Sequence, residues 1–94
     1  MGKGVREILD AIDEYKSIKK ACVATGISYP KVMRMLKTFK NELGFAAVAS
    51  EKGGSHYGGT LLTEKGRIVL ERFREIENEV TIFAQKLVRE KFVF

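Results

Sequence analysis

Tryptophan is absent, and cysteine, proline and histidine occur once each, at Cys22, Pro30 and His56. A lone cysteine excludes a disulfide framework, and Cys22 is expected to face the same core as Ala21. One histidine and one cysteine give no zinc-ligand spacing, so no metal site is expected. No stretch approaches the ~18 consecutive apolar residues that a membrane span requires. Residues 1–7 carry charge but no following hydrophobic run, which excludes a signal peptide. Arg6 stands where a myristoylation signal wants a small hydroxyl residue. The expectation is a cytoplasmic protein without a membrane partner.

Recognisable catalytic motifs are missing too. There is no nucleophile elbow, and Lys52 precedes Gly53 and Gly54 where a phosphate-binding loop needs lysine after its glycines. Asp10 and Asp13 share a polar face with Glu7 and Glu14, which a solvated surface explains. Neither an enzyme nor a cofactor is expected.

The most informative absence is of acid. Between Glu14 and Glu42 there is no carboxylate, while Lys16, Lys19, Lys20, Lys31, Arg34, Lys37 and Lys40 all fall there. The net charge of +5 therefore understates how basic the middle of the chain is, because the acids crowd toward its two ends. A one-signed segment of this kind suits a polyanion.

With 94 residues, 45% of them apolar, the chain allows one small folded domain, of a size that gains stability by oligomerising. Val5, Ile8, Leu9, Ile12 and Tyr15 recur at three- and four-residue spacing, predicting a helix over 5–15 with those residues in the core. Ser17 is placed to cap a second short helix that stops at Gly26. Ser28 is placed to cap a third, with Pro30 in its first turn, where a missing amide costs little. That helix is expected to run to Leu43 and stop at Gly44. Its core stripe is Val32, Leu36, Phe39 and Leu43; Lys31, Arg34, Lys37, Thr38 and Asn41 fall on other faces. Two helices joined by a turn at Gly26, with the second able to enter a major groove, form a helix-turn-helix.

The periodicity then changes. Residues 45–50 read as a strand, 51–59 as a loop with four glycines among nine residues, and Thr60 to Leu62 as the returning strand. Thr63 caps a final helix over 64 to about 90. Its apolar residues Val69, Phe73, Ile76, Val80, Phe83 and Leu87 follow a four-three spacing, a heptad seam. A helix of that length extends roughly 40 Å, more than so small a core covers. It is expected to pair with a second copy across a two-fold axis; the alternatives are a helix folded back over its own domain or one broken near Asn78.

The fold class expected is therefore mainly α, with a small β-hairpin wing: a winged helix-turn-helix over 1–62 and a dimerisation helix over 63–94 of the same unit. Ser28, Tyr29, Lys31, Arg34 and Lys37 are the candidate DNA contacts of the third helix, with Arg34 able to reach a guanine edge. Lys16, Lys19 and Lys20 are candidates for the DNA backbone, and Lys52, Ser55, His56 and Tyr57 for contacts from the wing. The function expected is a sequence-specific double-stranded DNA-binding transcriptional regulator. The alternatives are a protein-interaction module and an RNA-binding winged helix.

The segments from Ile8 to Glu14, Ser17 to Ala21 and Thr25 to Val32 resemble the N-terminal domain of the molybdate-responsive (ModE) transcriptional regulators, and more distantly that of the LysR-type regulators. The likeness extends through Leu43 and Gly44, the glycine-rich loop at 53–59, and the Leu-Thr-x-x-Gly box at Leu62, Thr63 and Gly66, covering roughly residues 5 to 75. The resemblance implies a homodimer on a palindromic operator, the third helix in the major groove and the wing near the backbone or minor groove. Full-length members of the molybdate group carry an oxyanion-binding domain after the long helix, for which these 94 residues leave no room. The expectation is a regulator lacking the molybdate-binding domain, answering no effector, another effector, or a partner protein.

Overall fold

The structure is a computed structural model and describes residues 3–50 and 59–93. Helix α1 (Lys3–Tyr15) leads into α2 (Ile18–Thr25) and α3 (Tyr29–Leu43); a two-stranded antiparallel sheet of β1 (Val48–Ser50) and β2 (Thr60–Leu62) precedes α4 (Glu64–Lys91). The strands pair Val48 with Leu62, Ala49 with Leu61 and Ser50 with Thr60. The mainly helical fold with a small hairpin and a long last helix agrees with the expected winged helix.

The core lies where α1, α2, α3 and the base of α4 meet. Ile8, Leu9, Ile12, Ala21 and Val32 are fully buried there, with Phe39 and Leu70 almost so. All but Leu70, which stands beside the expected seam residue Val69, are residues that the sequence reading places inward. The helix ends also follow the sequence. The Ser17 and Ser28 hydroxyls accept from the amides of Lys20 and Lys31, and Gly26 and Gly44 adopt left-handed conformations at φ 72° and 80°. In that region a side chain would be strained.

Four details depart from the sequence reading. Helix α1 begins at Lys3, earlier than Val5. Tyr15, expected in the core, is 41% exposed: it stands at the end of α1 and lines an open surface groove with Lys19, Lys20, Val23 and Ala24 of α2. Cys22 is only half-buried; Ala21 takes the interior position and Cys22 packs at its margin. The first strand is shorter than 45–50. Phe45 instead sets its ring edge-on against Phe39, centroids 5.7 Å apart. The carbonyls of Ala46 and Ala47 accept bonds from Thr63, leaving ladder pairing to begin at Val48.

Lys16 links the helical half to the sheet. Its φ is 56°, the one non-glycine positive value among the described residues. This turn of the backbone aims its carbonyl at β2, where it accepts the amide of Thr60 at 2.9 Å. Helix α4 runs unbroken through Asn78 and does not fold back. Every residue from Asn78 to Lys91 is exposed, and the molecule measures 62 × 27 × 23 Å in consequence.

Candidate nucleic-acid interface

The turn between α2 and α3 is fixed by local bonds. The Thr25 hydroxyl donates to the carbonyl of Ala21 at 2.8 Å and accepts the amide of Ile27 at 3.3 Å. The Gly26 amide donates to the Cys22 carbonyl at 2.9 Å, closing α2. Ile27 is half-buried against the core, so the chain is pinned between the end of one helix and the cap of the next. A turn held at four points sets the angle of α3 and presents its first turn to solvent.

Tyr29, Pro30, Lys31, Arg34, Lys37, Thr38 and Asn41 are all exposed on α3, opposite buried Val32 and Phe39. Lys31, Arg34 and Lys37 follow one another at three-residue spacing. At ~100° per residue they fan across roughly 120° of the outer surface. Shallow grooves flank this fan. Lys31 and Arg34 line one against Val5 of α1, while Lys37 and Lys40 line another against β1. Tyr29 is 47% exposed at the leading end, beside the Ser28 cap.

Lys19 and Lys20 are exposed on the first turn of α2. Lys16 is placed differently: its Nζ donates to the Asp13 carbonyl at 2.6 Å and lies 3.9 Å from the Asp13 carboxylate. Among the described residues, Lys16 is the one candidate contact with an acidic partner. Lys19, Lys20, Lys31, Arg34, Lys37 and Lys40 form no ion pair there. A cluster of like charges without internal partners carries mutual repulsion that an external anion relieves. Lys52, Ser55, His56 and Tyr57, the candidates in the wing, lie outside the described residues.

The back of the molecule shows the opposite arrangement. Arg6 donates to Glu77 at 3.0 Å and to Asp10 at 3.1 Å, Arg67 meets Asp13 at 2.9 Å, and Arg74 pairs with Asp10. The Arg6 guanidinium is held above its ordinary pKa, first by its hydrogen bond to Glu77 and then by Asp10, against some desolvation. Sequence reasoning assigned none of these pairs. Their one trace is a change of sign: the charges at 6, 10 and 13 are the reverse of those at 77, 74 and 67.

The heptad seam divides in two. Val69 is half-buried against the chain's own core, and Phe73 is half-buried. Ile76, Val80, Phe83 and Leu87 are exposed, at 55, 61, 62 and 38%.

No protein-family model and no curated protein matches the chain. Among solved structures, the crystal structure of a CbnR_DBD–DNA complex is similar. The match has a TM-score of 0.75 at 21% identity and covers 97% of this chain and 99% of that one. At that identity the likeness establishes a shared fold, including the long last helix within the matched length.

Proposed function

We propose that this chain binds double-stranded DNA in a sequence-specific manner, as the DNA-binding unit of a transcriptional regulator. The observation that carries the reading is the fan of Lys31, Arg34 and Lys37, exposed and without acidic partners on the helix that follows a rigid turn. The similar fold solved as a DNA complex supports it. We place the chain in kinship with the LysR-type regulator domains; the closer tie to the molybdate-responsive group belongs to the same proposal.

On this reading α3 enters the major groove with Tyr29, Lys31 and Arg34 leading. Lys19 and Lys20 meet phosphates beside the groove, and Lys37 joins them as α3 leaves it. Phosphate contacts set register and supply affinity, while base contacts discriminate. Residues 1–62 form the reading head and 63–94 the dimerisation arm. The exposed seam of Ile76, Val80, Phe83 and Leu87 is covered by the same seam of a second copy. A two-fold dimer makes the operator a palindrome.

Selection from a random duplex pool, followed by titration of the recovered sequence and a scrambled duplex at several salt concentrations, tests the reading. A recovered palindrome with a steep salt dependence supports it. Enrichment of RNA over duplex DNA in a parallel pool, or no enrichment at all, overturns it.

A further inference from the structure

Helix α4 has two parts held in different ways. Its base is held by packing: Leu70 is buried, with Val69 and Phe73 half-buried around it. Past Phe73, α4 meets the body through ion pairs. Arg74 pairs with Asp10, and Glu77 accepts from Arg6 at 3.0 Å. Arg6 and Asp10 are joined to each other at 3.1 Å, which makes a continuous chain of alternating charge from Glu77 to Arg74 across two helices. Arg67 and Asp13 add a separate pair nearer the base, at 2.9 Å. The spacings suit the task. Residues 6, 10 and 13 share one face of α1, and 67, 74 and 77 share one face of α4.

We propose that this ion-pair ladder sets the direction in which α4 leaves the body, and so determines which half-site spacing the dimer accepts. The inference rests on the dimeric DNA-binding reading given above.

The lever arm makes small angles matter. The exposed stretch from Asn78 to Lys91 adds about 20 Å beyond the last rung. A tilt of about 10° at that rung moves the far end by about 3.5 Å, close to the rise of one base pair. Packing at Leu70 alone lies near the pivot and resists such a tilt weakly. Arg74 and Glu77 lie farther out and resist it with more leverage. The four linked side chains are between 23 and 51% exposed, so each pair is modest. Their linkage across two helices is what gives the ladder directional effect.

Two variants separate the ladder from the fold. Arg6→Ala with Arg74→Ala removes both cations of the linked chain. Inverting all four charges (Arg6→Glu, Asp10→Arg, Arg74→Asp, Glu77→Arg) restores opposite signs at every rung. Each variant is titrated against single half-sites and against paired half-sites whose separation changes in one-base-pair steps, using the sequence recovered by selection. Independently, spin labels at Ala24→Cys and Gln85→Cys in a Cys22→Ala background report the distance between body and arm, in dimers diluted with unlabelled chain.

The doubly substituted chain is expected to bind a single half-site within about twofold of the parent. Its preference for the best over the worst spacing should fall about fivefold, the factor that about 1 kcal/mol carries. Its spin-label distance distribution broadens, and the inverted variant regains both properties. Unchanged spacing preference and an unchanged distance distribution in a folded, doubly substituted dimer overturn the ladder. If the parent shows no preference for duplex DNA, the function proposed above fails; the distance distribution still decides whether the ladder holds the arm, and an unbroadened one overturns that as well.

Discussion

A Cβ on Gly66 would lie 2.2 Å from the carbonyl oxygen of Ala47, closer than any side chain tolerates. The contact explains a motif that the sequence showed only as a pattern. Thr63 caps α4 by accepting the Gly66 amide at 3.0 Å, while its hydroxyl donates to the Ala46 carbonyl at 2.7 Å. The Thr63 amide donates to Ala47 at 2.9 Å. Threonine fastens the start of α4 to the chain entering β1, and glycine three residues on leaves room for that approach. The base of α4 and the base of the β-hairpin are thus one joint.

Gly66→Ala should therefore destabilise the fold by about 1–3 kcal/mol, the usual cost of overpacking a tight contact. The obstacle is backbone, which cannot rotate away as a side chain would. Thr63→Ala should cost about 1 kcal/mol for the cap, with more from the carbonyl left without its hydroxyl. Urea unfolding of the two variants checks both. A Gly66→Ala chain as stable as the parent would show that the joint has slack.

Lys16 yields a prediction in the opposite direction. It holds a left-handed conformation that costs a side-chain-bearing residue roughly 1–2 kcal/mol. Lys16→Gly removes that strain and loosens the unfolded chain, so its stability should stay within about 1 kcal/mol of the parent. Lys16→Val keeps the strain, adds a branched side chain and should be clearly less stable. Because the Lys16 Nζ already bonds the Asp13 carbonyl, the glycine variant also measures how much this lysine adds to DNA affinity. Thermal melts beside a duplex titration separate the two effects.

The arm should dimerise through its exposed seam. Ile76→Glu with Phe83→Glu places like charges opposite one another across a two-fold axis, and the product should sediment as a folded monomer. Val69 packs against its own core and Phe73 is half-buried, and neither is changed, so the fold should survive. A parent chain that is monomeric at tens of micromolar would remove the basis for this assignment.

The helices and their caps were legible in the sequence because they rest on local signals. Apolar spacing set the core at Ile8, Leu9, Ile12 and Val32, and Ser17, Ser28 and Thr63 each accept the amide that their positions predict. The charged face of α3 was legible for the same reason, since one periodicity places both core and surface. Errors arose where tertiary packing decides. Tyr15 has an inward spacing but faces an open groove beside α2, and Phe45 to Ala47 spend their groups on Phe39 and Thr63 instead of a strand ladder. The ladder from Arg6 to Glu77 spans 71 residues and leaves no local mark.

Lys19 and Lys20 should contribute affinity without selectivity. If the dimer neutralises six to ten phosphates, binding should weaken about 10³- to 10⁵-fold between 50 and 200 mM salt. Lys19→Ala with Lys20→Ala should weaken recovered and scrambled duplexes alike and flatten the salt slope. A slope equal to the parent's would show that neither lysine reaches a phosphate.

Arg34 is the residue on which specificity should turn. It lies at the centre of the exposed fan, with Lys31 one turn before it and Lys37 one turn after, opposite the buried Val32 and Phe39. A helix entering a groove along its outer face brings its central residues deepest and leaves those at the edges of the fan near the backbone. Arginine there can donate two hydrogen bonds to one guanine, which discriminates by about 1–3 kcal/mol. Arg34→Ala should therefore lower the ratio of operator to scrambled-duplex affinity and flatten preference at one base pair in each half-site. Lys40→Ala offers the contrast. It lies farther along α3, in the groove against β1, and should weaken both duplexes by a similar small factor. Titrating both variants against single-base operator substitutions at one fixed salt concentration distinguishes them. If Lys40→Ala changes the sequence preference and Arg34→Ala changes only overall affinity, the reading edge of α3 faces the wing and the docking proposed for this helix must be rotated toward it.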